Sequence, residues 1–526
     1  MNLATIVGHI GGRCMGQFDE QDAWKDTPVE STEVKAVINT HIEKLLAFVE
    51  KKSDRHDFDE VERGLRDDVF ALGRLLLTYF VARREKESER TVRTWLRRGF
   101  RPRNPERKFL NTLFGRITMW RTYVRRRGGT GLYPLDFELK IPADGFSTLV
   151  MGMAARLATL VSYEQVTALM LYFLSWSPSK TTVEKAVLGL GCHIAEWFEA
   201  APPPDGDGEV LVIQIDSKAT PTATEEELEK RRGKRKISER ALSPRHRGRA
   251  KRARRGAKKR RNKGDRSKNG RAATIVVMYT LKKAPDGDGN PVLLGPINKR
   301  VYASYAPKRH AFAIARREAD KRGFTAKSRK TNHIVTDGDE DLERYTKDFF
   351  PKARHTLDIM HVLEYSWEAG RFAFKEGSDE LIAWVKREER RLYRGGTGNA
   401  ILALNELDVS PSNETRLEPI RSYLRKRIAL MNYDELRKED LDVASRAVEG
   451  AVRHVIGKRF DSSGMRWIRE RAEALLQLRC IEINGDWDDF ASFVEGKVLP
   501  GSEGQQEAAG VLKNTPAALP TYGVAA

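Results

Sequence analysis

The chain is poor in the residues that staple or anchor proteins. Three cysteines in 526 residues, Cys14, Cys192 and Cys480, lie far apart and form no metal-spacing pair. So few thiols provide no disulfide framework, and the expectation is an intracellular protein in a reducing compartment. No stretch approaches the roughly 18–20 consecutive apolar residues that a membrane-spanning helix needs. The first arginine follows the short apolar patch at the N-terminus (MNLATIVGHIGGRC), where a secretory signal carries its charge ahead of that patch. Most of the chain also lacks net charge: outside one segment it carries 72 basic and 72 acidic residues.

That segment holds the whole formal charge of +20. Between Lys230 and Arg271 there are 22 Lys and Arg against two acids, Glu239 and Asp265. Its densest part contains Lys251, Arg252, Arg254, Arg255, Lys258, Lys259, Arg260 and Arg261. A one-signed run is often a solvated linker. One this long attracts polyanions, and with few aromatics interleaved it grips backbone phosphate instead of bases. Nucleic acid is the expected partner.

Residues 1–30 show no periodicity and are expected to be disordered. Helical spacing follows at Val34, Ile38, Ile42, Leu45 and Val49, and again from Phe58 through Val61, Leu65, Val69, Leu72, Leu76 and Phe80. The second pattern lasts about three heptads, which suits a bundle core better than a coiled coil and leaves self-association open. Gly115–Val124 (GRITMWRTYV) alternates and predicts one or two strands. Helices are predicted at Phe146–Leu160, Tyr163–Leu174 and Lys180–Phe198, with Ser179 as a cap. Residues 163–198 allow a helix-turn-helix within a mainly helical region, 31–200. Ala201–Gly208 (APPPDGDG) predicts a linker and a domain boundary.

The pattern then changes. Strands are predicted at Glu209–Ser217 (EVLVIQIDS), Ala272–Leu281 (AATIVVMYTL) and Arg300–Tyr305, then a helix at Arg309–Arg322. The segment His333–Val362 reads as strand, amphipathic helix, strand. This order predicts an α/β core with a mixed sheet and a central parallel region over 209–375. A mainly helical stretch, 376–445, interrupts it before a further core helix in 446–495. The tail, 496–526, is rich in Gly, Gln, Ala and Pro and is expected to be disordered.

Asp216 and Asp337 each end an apolar strand. An Asp in that place commonly starts a turn, and Gly338 favours that reading for Asp337. A pair so placed also suits divalent-metal chemistry, since Mg²⁺ takes hard oxygen ligands from several elements. Two ions about 3.5–4 Å apart can activate a nucleophile and stabilise a leaving oxygen. A third carboxylate is then wanted. Glu449 lies beside an apolar helical stripe of Val448, Val452 and Val455, and is either a ligand or an ion-pair partner of Arg453. Asp358 and His361 form Asp-x-x-His, which can be a structural pair or a support for carboxylate, phosphate or proton transfer. No second His or Cys stands at zinc-ligand spacing, so no zinc is expected.

These residues together resemble the DDE transposases, and more narrowly the Mutator-like superfamily and the bacterial insertion-sequence transposases of the ISKra group. The most specific strings are VEGAVRHVIGKRF, SGMRW (Ser463–Trp467) and NGDWDDF (Asn484–Phe490), similar to that group's C-terminal signature. The resemblance covers roughly Phe100–Gly496. It implies an RNase H-like core in which Asp216, Asp337 and Glu449 match the catalytic triad and hold two Mg²⁺ ions, with Mn²⁺ able to substitute. Asp358 and His361 match the D-x-x-H element, and Phe372–Ser445 the helical insertion. Related sequences often carry a Cys-x-x-Cys pair where this chain has YVRRR (Tyr123–Arg127).

The function so implied is metal-dependent cleavage at element ends and strand transfer into target DNA. Double-stranded DNA is the substrate, Arg453 and Arg459 are further DNA contacts, and the protein is a homo-oligomer in the bacterial cytoplasm at the nucleoid. Two alternatives remain: a non-catalytic DNA-binding protein, and an RNase H-like nuclease without strand transfer.

Overall fold

The computed structural model describes residues 30–52, 57–126, 131–223, 270–461 and 467–497. The ends expected to be disordered lie outside the described residues except Glu30 and the last two residues of helix Trp487–Lys497, and so does the basic run, apart from its last two positions, Gly270 and Arg271, which open a strand. The fold is mixed α/β and divides into two compact units, one running to Leu190 and also taking in the segment from Ala491, the other spanning Gly191–Phe490. That division falls ahead of the expected linker. Asp207, near the end of the linker segment, is held in the second unit by Arg322 at 2.6 and 2.8 Å. Among the described residues no helix is long and apolar enough to cross a membrane.

In the first unit, helices Ser31–Lys52 and Phe58–Arg97 pack through Val34, Ile38 and Leu75. The second helix runs on unbroken past Phe80 through the charged residues 83–97, since a long helix accommodates exposed arginines at little cost. Ile42, Leu46, Val69, Leu76 and Phe80 remain exposed. A three-stranded antiparallel sheet follows, ordered β1 (Phe100–Thr112), β2 (Gly115–Arg126) and β3 (Gly131–Leu132). Helices Thr148–Leu160, Tyr163–Leu174 and Lys180–Gly191 follow, with Ser147, Ser162 and Ser179 accepting hydrogen bonds from backbone N–H groups in their first turns. The helix expected to run on to Phe198 breaks before Ile194, and a short one resumes there.

The second unit is built on five main strands: β4 (Val210–Ala223), β5 (Gly270–Pro285), β6 (Pro291–Ser304), β7 (Thr331–Thr336) and β8 (Arg354–Leu357). Their spatial order is β6-β5-β4-β7-β8. β4 pairs antiparallel with β5 and parallel with β7, and β7 pairs parallel with β8. β4 therefore has neighbours on both edges and covered faces, which is why Val210–Ile215 is nearly all apolar and buried. A two-residue strand, β9 (Trp467–Ile468), pairs with the far end of β4. After β8, helices Ile359–Ala373, Asp379–Tyr393, Thr397–Asn405 and Pro411–Lys426 enclose a separate apolar core that includes Leu381, Trp384, Leu417 and Tyr433. The helical stretch expected over 376–445 thus continues one that already begins at Ile359.

Three histidines are enclosed in this unit. Burial lowers the pKa of His310 and of His355 to about 4, and lowers that of His333. Each stays neutral when folded but is free to protonate when unfolded. Their contribution is therefore complete above about pH 6.5 and is lost as pH falls, toward 4 for His310 and His355. For His310 the shift is worth about 3 kcal/mol. We expect urea melts from pH 7 to pH 4 to show the gap between wild type and His310→Gln narrowing or reversing by that amount. A gap independent of pH would mean that folding does not shift the titration of His310.

Candidate active site

The strand register places the acidic residues before any side chain is considered. Ile215 of β4 is opposite Thr336 of β7, and Thr336 is opposite Leu357 of β8. The next residue in each parallel strand is an aspartate: Asp216, Asp337 and Asp358. Neighbouring strands lie about 4.8 Å apart, so three carboxyl-bearing residues stand in a row across the sheet.

Asp337 is fixed by the turn it starts. Its Oδ1 accepts from the Asp339 N–H at 3.0 Å, so the turn-initiating role anticipated for it is real. Gly338 has φ +78°, and a Cβ there would stand 2.1 Å from the Tyr423 hydroxyl and 2.6 Å from Leu357. Only glycine fits. The Tyr423 hydroxyl, carried by the helical insertion, donates to the Asp337 carbonyl at 2.6 Å. Asp339 caps the next helix, Glu340–Phe349, and pairs with Lys308 at 2.7 Å.

Asp358 is fully buried. It caps helix Ile359–Ala373, accepting from Met360 N–H at 2.9 Å, and also accepts from Ser445 N–H at 3.2 Å and from the Ser445 hydroxyl. These donors hold its carboxyl below the usual carboxylate range despite burial, with the His361 hydrogen bond the largest of the lowering influences. His361 Nδ1 lies 3.3 Å from Asp358 Oδ2. That bond raises the imidazole to about 9, so His361 is a cation at neutral pH. Asp-x-x-His is thus a structural pair first. It joins the end of β8 to the segment that carries Glu449.

Glu449 lies in helix Arg446–Ala451, which runs directly into a π-helical stretch, Val452–Asp461. Gln214, two residues before Asp216 on the same face of β4, docks this helix. Its Oε1 accepts from Val448 N–H at 3.0 Å and its Nε2 donates to the Ala444 carbonyl at 3.3 Å. Tyr279 holds the same segment by donating to Asp442, and the His333 ring lies 2.7 Å from the Asp442 carbonyl. Sequence reasoning missed Gln214, Tyr279, Tyr423 and Ser445. One signal was present: Gln214 is a polar residue inside the apolar run VLVIQI, and a buried amide needs partners.

Electrostatics link the cluster. The Asp216 carboxyl is pushed up, chiefly by burial, and the negative charges of Asp337 and Glu449 push it further. The Ser217 N–H, 2.6 Å away, and the His361 cation act the other way. Glu449 is exposed, and among the described residues neither it nor Arg453 forms an ion pair, so the alternative Glu449–Arg453 pairing is not adopted. Arg453 is exposed as well. Arg459 differs from expectation. The helix turns it inward with Val455 and Phe460, and it lies buried 4.8 Å from the centre of the Trp467 ring, which corrects its assignment as a DNA contact. Lys251, Arg252, Arg254, Arg255, Lys258, Lys259, Arg260 and Arg261 lie outside the described residues.

Among the described residues no three His, Cys, Asp or Glu side chains are assembled as a group that could hold a metal ion as they stand. The donor chemistry nevertheless suits a hard divalent cation: Asp216, Asp337 and Glu449 offer only oxygen, and their mutual repulsion at Asp216 is the cost such a cation removes. Compared with known proteins, the chain matches no family model and no curated protein.

Proposed function

We propose that this protein is a DNA transposase that cleaves the ends of a mobile element and joins them to target DNA. The observation that carries the reading is the matched exit of Asp216 and Asp337 from adjacent parallel strands, with Glu449 close enough to act on Asp216. The sheet order, with three antiparallel strands followed by two parallel ones and a helix carrying the third carboxylate, supports an RNase H-like core.

Asp216, Asp337 and Glu449 would hold two Mg²⁺ ions, which when bound favour deprotonation of an attacking water or 3′-hydroxyl and stabilise the leaving oxygen. The protein's own groups do the positioning. Gly338 and Tyr423 fix the backbone of Asp337, Gln214 brings the Glu449 helix against β4, and Asp358 locks that helix's leading residue, Ser445. His361 places a positive charge beside the carboxylates, where it limits their repulsion and can meet a phosphate oxygen. The basic segment 230–271 begins 14 residues past Asp216 in the sequence and would supply phosphate contacts. Pairing of two element ends requires self-association, for which the exposed Leu46, Val69, Leu76 and Phe80 offer apolar surface.

The test uses the full-length protein with Mg²⁺ and plasmids carrying the DNA that flanks its gene. We expect Asp337→Ala to lower strand cleavage about 10³-fold, the equivalent of several kcal/mol of transition-state stabilisation, with DNA binding retained. Undiminished cleavage excludes Asp337 from the site. Cleavage without joined products identifies a nuclease instead.

A further inference from the structure

A second basic surface stands in the first unit, in a part of the chain whose charge is masked by the balance around it. From Arg90 to Arg126 there are eleven arginines and one lysine against a single acid, Glu106. The fold gathers them. Helix Phe58–Arg97 ends at Arg98, Gly99 turns the chain with φ +83°, and β1 runs back antiparallel to β2. Residues 101–107 of β1 are exposed throughout. Arg97, Arg98, Arg101, Arg103, Arg125 and Arg126 thereby share one end of a two-stranded ribbon and the helix terminus beside it.

Three features set this end apart from an ordinary solvated face. Arg101 is directly opposite Arg125 in the ladder, so the strand pair brings two like charges together at this end. Among the described residues none of Arg97, Arg98, Arg101, Arg103 and Arg126 is in an ion pair with a carboxylate, whereas arginines nearer the core, such as Arg84 and Arg121, are. Several guanidinium groups are also held over rings: Arg98 over Trp95 at 5.4 Å, Arg126 over Phe100 at 5.5 Å and Arg103 over Tyr123 at 5.8 Å. Stacking limits the freedom of these side chains, and Arg126 is held further by donating from Nη2 to the Arg98 carbonyl at 3.2 Å; such restraint reduces the entropy lost when the remaining N–H groups meet an anion.

The strand itself narrows the partner. β1 is an edge strand, but Pro102 and Pro105 lie in it with a register shift between them, so its outer edge is unsuited to adding a strand from another protein. A rigid, arginine-faced, two-stranded ribbon is instead of a size that the major groove or the flanking phosphates of duplex DNA accept.

We propose that the end of the β1–β2 ribbon, with Arg97, Arg98, Arg101, Arg103 and Arg126, is a duplex-DNA phosphate-binding surface separate from the basic segment 230–271 and from the carboxylate site. The choice of DNA as the polyanion rests on the function proposed above; the charge and geometry of the surface do not.

Binding of the full-length protein to a fluorescent 30-base-pair duplex, measured across a salt series, tests this. The variant replaces Arg97, Arg101, Arg103 and Arg126 with Ala; a second replaces all four with Lys. Each phosphate-neutralising charge contributes about 0.9 to the slope of log K against log salt, so removing four lowers it by about 3.6, with at least about 100-fold weaker binding at 0.1 M salt. The Lys variant is expected to recover most of the slope, since it restores the charges. A melting profile like that of wild type confirms that the Ala variant is folded; if it is not, the Lys variant compared with one in which only Arg101 and Arg126 become Gln gives the same readout, with a slope change of about 1.8. An unchanged slope in a folded variant overturns the proposal. Weakened binding in a protein that cleaves no DNA leaves the surface standing and removes the transposase reading; intact cleavage with an unchanged slope does the reverse.

Discussion

Asn in place of Asp216 is expected to make the metal-free protein more stable and to leave it unable to cut DNA. The two effects share a cause. Asp216 is poorly solvated and stands near two further carboxylates, so its charged form is disfavoured in the fold. Removing that charge relieves repulsion worth about 1 kcal/mol, a rise of roughly 2–4 °C in melting temperature for a unit of this size. The amide is a weaker ligand for a hard cation, and cleavage falls about 10³-fold. Addition of Mg²⁺ should raise the melting temperature of wild type, through binding to the folded state alone, and leave that of Asp216→Asn unmoved. Scanning calorimetry with and without Mg²⁺ reads both. If the substitution lowers stability, Asp216 is a structural acceptor and the metal assignment fails.

The other large effect concerns a residue outside the triad. Asp358 receives donors from Met360, from both the backbone and hydroxyl of Ser445, and from His361, all around a buried carboxylate. Asp358→Ala leaves those donors without an acceptor and His361 without its counter-ion, and we expect a loss of about 3–5 kcal/mol in urea denaturation. The pKa of His361, followed by NMR, should fall from about 9 to or below the ordinary imidazole range, because its largest raising influence is gone. Ser445→Ala removes one bond of the set and should cost about 1–2 kcal/mol. A wild-type urea midpoint for Asp358→Ala would show that the Ser445 anchor carries no weight.

Much of this was legible in the chain because it is local. Apolar periods gave helices Ser31–Lys52 and Tyr163–Leu174, and the runs VLVIQI and TIVVMYTL gave the central strands. Asp216, Asp337 and Asp358 could be singled out because each follows such a run. β1 was not foreseen, since Pro102, Pro105 and three arginines hide an edge strand whose partner supplies the apolar face. The burial of Arg459 was equally hidden: it depends on Trp467, which β4 pairing brings into place. Strand order, register and the docking of Glu449 are long-range. They follow from contacts such as Gln214 with Val448 that no window of sequence contains.

The Gln214 contact also bears on how the protein comes into being. Val448 is 234 residues downstream of the amide it binds. A ribosome makes that interval in tens of seconds or less. During it β4 and β5 can pair, with Asp216 already in place, but the third carboxylate does not yet exist. Truncated or stalled chains therefore carry two aspartates and an incomplete site, and under the proposed function competence to cut DNA would arrive only when the last third of the chain closes over the sheet. For a protein proposed to break the chromosome that encodes it, completeness of synthesis is itself a safeguard.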